Sequence, residues 1–278
     1  MAQSNFSSRA TTMQIEAAAH SDRGRVRPQN EDAIALCEPS DERANLGWLY
    51  LLADGAGGHA AGEVASRLAI ETISKVYYQR TPPLGIMSDN AQFSNEASSP
   101  LTRLQHAFFA AHLRIQELAD QQRECRNMAT TCIAAAIKDG RFVIAHVGDS
   151  RAYLIQTTPS SSPIMTRLTT DHSMAVAMMQ AGILSPEQAQ SAPSRHMLLR
   201  MLGGSQENVP LPDFRMQEIH PGEYLVLCCD GLWSKLSEER MAQVACTLPP
   251  QAACTELVRL ANEAGGEDNI SVIVLAFR

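Results

Sequence analysis

Five short acidic motifs carry residue types that can do chemistry: Asn30-Glu31-Asp32, Asp54-Gly55, Asp149 in the run HVGDSR, Asp230-Gly231 and Asp268-Asn269. The first four fall at the ends of apolar, strand-like runs, and the fifth falls just before one. A carboxylate at the end of a buried strand is held rigidly yet reaches solvent, and several such ends can converge on one cleft. Taken singly, an Asp-Gly pair is ordinary turn chemistry. Five such motifs in one chain, all abutting apolar strands, point instead to a shared site. Converging carboxylates repel one another and need cations between them. The donors are oxygens, without paired His or Cys, which favours Mg²⁺ or Mn²⁺ over Zn²⁺. The calcium-loop pattern Asp-x-Asp-x-Asp-Gly is absent. Glu31 and Asp32 are adjacent, so in an extended chain they point to opposite faces. One would ligate a cation and the other orient a water, and spacing does not choose between them.

The elements that must hold these residues read as strands grouped into hairpins, with helices inserted between groups. MQIEAAAH (13–20), DAIALCE (32–38) and WLYLLAD (48–54) are strand candidates. A helix is expected over 62–78, where Val64, Leu68, Ile73 and Val76 recur at helical spacing. A proline-bearing surface loop over 80–100 and a second amphipathic helix over 101–122 follow. TTCIAAAI and RFVIAHVGD flank Asp139-Gly140, a two-residue hairpin signal. SRAYLIQ, an exposed loop at 157–163 and IMTRLT continue the sheet. Residues 172–200 suggest short helices, EYLVLCCD (223–230) a buried strand, 237–246 and 250–264 helices, and ISVIVLAF (270–277) the last strand. The expected fold is α+β: a four-layer α-β-β-α sandwich of two antiparallel sheets flanked by helices. One domain is expected over 13–278, because the last strand completes a sheet begun by the first; residues 1–12 read as a frayed, polar tail.

Composition narrows the partners. Hydrophobic residues make up 45% and charged residues 19% of the 278, an ordinary globular balance. The formal net charge is −7 and no Lys/Arg-rich run exists, which argues against nucleic acid as a partner. No apolar run approaches a membrane span, and the N-terminus lacks the pattern of a secretion signal. Seven cysteines, an odd number without Cys-x-x-Cys, sit largely in apolar runs. They read as buried free thiols in a reducing, cytoplasmic compartment.

Seven motifs then occur in a recognisable order: DRGRVRPQNEDA (22–33), LLADGAGGHAAGEVAS (51–66), ATTCIAA (129–135), AHVGDSRAYL (145–154), LTTDHS (168–173), GEYLVLCCDGLW (222–233) and GGEDNISVIVL (265–275). Through them the chain resembles the protein phosphatase 2C family, the metal-dependent Ser/Thr protein phosphatases, in its bacterial form, over nearly its whole length. The resemblance implies hydrolysis of phosphoserine and phosphothreonine on proteins by direct attack of a metal-activated water, with two ions about 3.5–4 Å apart. By motif position it implies Asp54 bridging two Mn²⁺ or Mg²⁺ ions. Asp230 and Asp268 would complete the first, and Glu31 and the Gly55 carbonyl would hold the second. Asp149 with Asp230 would hold a third ion more weakly. Asp32 and Asn269 would stand behind the ligands. Arg27 would grip the substrate phosphate, which a planar guanidinium does through two oxygens at once; its plainer role is a surface arginine in a basic turn with Arg23 and Arg25. Phosphoprotein substrates, an opposing Ser/Thr kinase and a monomeric state are the expected partnerships.

Three positions depart from the family pattern. Ala129 stands where Gly is usual. The flap, expected over about 171–205, contains SAPSRHMLLRMLGG without the usual His-Pro and Arg-Asn pairs, so the resemblance does not extend to flap contacts or substrate choice. Ala56 occupies the place of a histidine proposed as general acid in eukaryotic members. His59 is assigned to a structural role at a helix start ahead of catalysis, His146 to a bonded core position and His172 to the flap base. A phosphoprotein-binding module without turnover and a metal-dependent nuclease are the competing readings. Intact carboxylates weigh against the first, and the lack of a basic groove against the second.

Overall fold

The computed structural model describes residues 13–39, 45–56, 61–79, 99–158, 161–204 and 209–278. The N-terminal tail, His59 and most of the expected 80–100 loop lie outside the described residues.

Twelve strands and seven α-helices are described. In chain order they are β1 (Ile15–Asp22), β2 (Asp32–Cys37), β3 (Trp48–Ala56), α1 (Ala61–Tyr77), α2 (Pro100–Gln121), β4 (Ala129–Thr130), β5 (Cys132–Lys138), β6 (Arg141–Val147), β7 (Arg151–Thr158), β8 (Ser161–Arg167), α3 (Met174–Gln180), α4 (Pro186–Ser191), β9 (Leu202–Gly203), β10 (Asp213–Glu218), β11 (Tyr224–Cys228), α5 (Asp230–Trp233), α6 (Glu238–Thr247), α7 (Pro250–Glu263) and β12 (Ile270–Phe277). All strand pairs are antiparallel. One sheet runs β1-β12-β11-β7-β8; the other runs β10-β6-β5-β3-β4-β9, with β2 also on β3. The first and last strands pair along their length, from Ile15 opposite Phe277 to Asp22 opposite Ile270.

Side-chain alternation explains the layering. Along β3, Leu49, Leu51 and Ala53 pack outward with Ala65, Ile73, Phe108 and Ile115 of α1 and α2, whereas Tyr50 and Leu52 point inward to the second sheet. Along β12, Val272 and Val274 meet Leu257 and Val258 of α7, whereas Ile273 and Leu275 point inward. A period of two on strands buried on both faces thus creates three apolar layers between four structural ones, as expected.

The hairpin at Asp139-Gly140 forms as expected, with both residues left-handed at φ 49° and 71°. Two local expectations change. The hairpin expected at 157–163 forms with longer strands than expected: β7 extends to Thr158 and β8 starts at Ser161, with irregular register between Gln156 and Thr158. β10 is a strand the sequence reading did not identify. It pairs with β6 at the sheet edge and leaves Met216 exposed, so little apolar burial marks it.

Candidate metal centre

The acidic motifs meet at one end of the sandwich because the strand registers bring them there. Asp32 lies opposite Asp54 in the β2–β3 pair, and Cys228, which precedes Asp230 by two residues, lies opposite Val272 near the start of β12. Asp54 is fixed through its backbone: its carbonyl accepts from Thr131 N–H (2.9 Å) and from the Thr130 hydroxyl (2.8 Å). The β1–β2 loop, which carries Arg27 and Glu31, is pinned by Asn269. The Asn269 side chain accepts from Glu31 N–H (2.8 Å) and donates to the carbonyls of Arg23 (2.8 Å) and Gln29 (2.9 Å). Asp230 opens α5, directly before Gly231. A Cβ on Gly231 would lie 1.9 Å from the Asn269 carbonyl, so only glycine lets α5 approach the loop that bears Asp268. Glu31 reaches the start of α1, where a Cβ on Gly62 would lie 2.6 Å from Glu31 Oε2.

Arg27, Glu31, Asp54, Gly55, Asp149, Asp230, Asp268 and Asn269 all line one cleft of about 480 Å³. Asp32 is not among its lining residues. It sits behind Asp54, where its Oδ2 accepts from Ser271 Oγ (2.5 Å) and its Oδ1 is buried without a hydrogen-bond partner. Ligand atoms of Asp32, Asp54 and Cys229 lie within 4.8 Å of one another. Arg27 Nη2 donates to Asp268 Oδ2 at 2.7 Å across a half-exposed rim. The anionic crowding is reflected in the titration of these groups. Burial, then the charges of Asp32, Asp230, Asp149 and Asp268, holds Asp54 well above the usual carboxylate range. Burial likewise raises Asp32 to about 7, with Asp230 and Asp268 adding to it, and Asp149 to about 8, with Asp230 and Asp171 adding. Asp230 is raised by burial and by Asp268.

The segment between β8 and β9 contributes a residue that sequence reasoning passed over. His196 also lines the cleft, with Nδ1 3.9 Å from Asp230 Oδ2. Its only signal was that it lies in the segment that departs from the family pattern. His172 accepts from Gly148 N–H at Nδ1 (3.1 Å), while its own backbone bonds Gly148 and Leu199. His146 stacks on His172, with centroids 4.6 Å apart, and its Nε2 bonds the Thr170 carbonyl (2.9 Å), so it is a satisfied core residue. Ala129 is buried in β4 between Ala56 and Gly203. All seven cysteines are free thiols. A larger hollow of about 780 Å³ lies at the β5–β6 turn. Its charges pair among themselves, as Arg141 does with Glu218 (2.7 Å), so it gathers no comparable reactive set.

The donor set fits hard divalent cations. It consists of carboxylate oxygens around one cleft, and burial with mutual repulsion holds Asp54, Asp149 and Asp230 above the usual carboxylate range, a penalty that divalent cations relieve.

Comparison with known proteins identifies the family. The sequence profile of the family described as Protein phosphatase 2C matches residues 18–263. The chain belongs to the protein phosphatase 2C family. It is 32% identical over 265 residues to the serine/threonine phosphatase stp of Listeria innocua, covering 94% of this chain and 95% of that protein. It is also 32% identical to the serine/threonine protein phosphatase PstP of Mycobacterium tuberculosis, covering 95% of this chain and 45% of that longer protein. Among solved structures, the S. agalactiae serine/threonine phosphatase superposes with a TM-score of 0.78 at 30% identity, covering 95% of this chain and 99% of that one. The PstP catalytic domain in complex with two manganese ions superposes with a TM-score of 0.75 at 30% identity, covering 96% and 99%. By family the chain is a protein serine/threonine phosphatase, and its two-sheet architecture is that of its relatives.

Proposed function

We propose that this phosphatase hydrolyses phosphoserine and phosphothreonine on proteins with two divalent cations, Mn²⁺ or Mg²⁺, held by Asp54, Asp230, Asp268, Glu31 and the Gly55 carbonyl. The observation that carries this reading is the convergence of those groups on one cleft with an arginine at its rim. Bound there, the cations would supply an acidified water and neutralise charge on the phosphoryl oxygens. Asp54 is the central residue of the set, with its backbone locked by Thr130 and Thr131. Asp230 and Asp268 flank it from α5 and the loop before β12, and Glu31 with Gly55 lies toward α1. Asp149 and Asp230 form the natural pair for a third cation. Asp32, behind Asp54, and Asn269, which clamps the β1–β2 loop, hold this set in place.

Arg27 orients the phosphate. Its planar fork can keep one edge on Asp268 and offer another to two phosphate oxygens, so that the transition-state charge meets fixed donors. Substrate phosphoproteins and a Ser/Thr kinase that makes them are the partners this chemistry requires, with the cytoplasm as the compartment. No helix among the described residues is long and apolar enough to cross a membrane. Residues 13–278 would act as one catalytic domain, with a flap over about 171–205.

The test is release of phosphate from phosphoserine and phosphothreonine peptides on addition of Mn²⁺ or Mg²⁺ to cation-stripped protein. Turnover that persists in excess chelator would refute the metal-dependent mechanism. Tight phosphopeptide binding without turnover would replace hydrolysis by docking.

A further inference from the structure

We infer that Trp233 is a positioning residue that ties Asp149 to Asp230, so that the two carboxylates act as one cation-binding unit. The inference rests on the proposed role of these two aspartates. Asp230 and Trp233 are the first and last residues of the same short helix, α5. The Trp233 indole Nε1–H donates to the backbone carbonyl of Asp149 at 3.0 Å, across 84 residues of sequence. A single turn of helix therefore presents one carboxylate and grips the residue that presents the other.

The grip is braced from behind. The guanidinium carbon of Arg151 lies 3.4 Å from the centroid of the Trp233 ring, a cation–π contact that fixes the indole plane. Arg151 is in turn held by Asp171 through two bonds, Nε to Oδ1 at 3.1 Å and Nη2 to Oδ2 at 2.7 Å. That pair is little exposed, 15% and 7%, so it stays ordered. Asp171 precedes His172, whose ring receives the Gly148 N–H beside Asp149. Ser150, on the other side of Asp149, shares a hydroxyl bond with Thr131 (2.9 Å). The Gly148–Ser150 turn is thus clamped at each residue, and the indole N–H is the only one of these clamps that also belongs to the helix of Asp230. Asp149 itself is 4% exposed, so a small tilt of its backbone moves the carboxylate relative to Asp230 with no solvent route to compensate. A cation shared between two carboxylates requires them at a fixed separation, which such a brace supplies.

Trp233→Phe removes the N–H and keeps an aromatic ring under Arg151. Mn²⁺ binding is read from the loss of the free-ion EPR signal as cation-stripped protein is titrated, alongside the Mn²⁺ dependence of peptide turnover and a thermal melt. The expected result is a fivefold or larger weakening of the weakest class of bound Mn²⁺, with tighter classes within twofold and little change in melting temperature. Asp149→Ala should abolish the weakest class, and adding Trp233→Phe to it should change the isotherm no further, because the indole acts through Asp149. Arg151→Lys, which keeps charge but loses the double bond to Asp171, should weaken the same class to a smaller degree. An unchanged isotherm in Trp233→Phe overturns the inference, as does a lowered melting temperature with normal Mn²⁺ binding. Additive weakening in the double variant overturns it too. Wild-type protein that binds no Mn²⁺ at all would refute the metal-centre reading itself, whereas normal wild-type binding with an indifferent Trp233→Phe refutes only the brace.

Discussion

Asp54→Asn should make the metal-free protein more stable at pH 8 while removing its response to Mn²⁺. Asp32 and Asp54 offer carboxylate oxygens within 4.8 Å of each other. At that separation and an effective dielectric of about 20, two unit charges repel by about 3.5 kcal/mol. Proton uptake relieves part of this, so the neutral amide is expected to gain about 1–3 kcal/mol, or ~2–10 °C in Tm for a chain of this size. The pH dependence has a definite sign. Burial, reinforced by neighbouring carboxylates, raises Asp32 from 3.8 to about 7 and Asp149 to about 8 in the folded chain. Between the unfolded value and these raised values the folded state holds more protons than the unfolded one. Stability of the metal-free protein therefore falls as pH rises from about 4 toward 8. Asp54→Asn should flatten that slope, because it removes a carboxylate that burial and the charge of Asp32 hold well above the usual range.

Cations invert the order. A ligand that binds only the folded state stabilises it by mass action, so millimolar Mn²⁺ should raise the wild-type melt above that of Asp54→Asn. The assay is a pair of thermal melts by circular dichroism, in chelator and in Mn²⁺, at pH 5.5 and pH 8. A variant that melts at or below wild type in chelator at pH 8 would refute the charge-crowding argument. So would a wild-type melt in chelator that is independent of pH across that window.

Three further outcomes follow from single contacts. Arg27→Lys keeps the charge but not the fork, so KM for a phosphopeptide should rise about tenfold with a smaller change in kcat, as steady-state kinetics would register. Gly231→Ala would place a methyl 1.9 Å from the Asn269 carbonyl and must push α5 away from the Asp268 loop. A loss of about 2–4 kcal/mol in urea unfolding is expected, together with weaker Mn²⁺ binding. Asp171→Ala would leave Arg151 and Arg167, both ion-paired to it, without their partner in a poorly solvated place; about 3–5 kcal/mol of stability should be lost, measured by the same unfolding experiment.

How far these features were legible in the sequence depends on the range of the interaction that creates them. The strand-end aspartates were legible because a buried strand, an acidic tip and a turn glycine are contiguous, as at Leu51–Gly55 and Leu225–Gly231. The hairpin at Asp139-Gly140 and the amphipathic spacing of α1 are equally local. β10 was missed because an edge strand with Met216 in solvent shows little of the burial that sharpens alternation. The clamp of Asn269 on Arg23, Gln29 and Glu31 spans some 240 residues, and no local pattern announces it. His196 and the indole of Trp233 belong to the same class: the partner is set by tertiary packing, and neither residue type in its own segment signals a site.

The adjacent acids show how a local ambiguity closes once the strand is located. Extended geometry requires Glu31 and Asp32 to diverge but leaves open which one enters the cleft. β2 begins at Asp32, and its first pair is Asp32 with Asp54. That register places Asp32 beside β3, where Ser271 of β12 takes one oxygen and the sandwich encloses the other. Glu31, one residue earlier, is left on the opposite side, with its carboxylate against the start of α1 and its N–H on Asn269. The glutamate therefore lines the cleft and the aspartate stands behind Asp54. The choice follows from where β2 starts pairing, and neither side chain's own chemistry decides it.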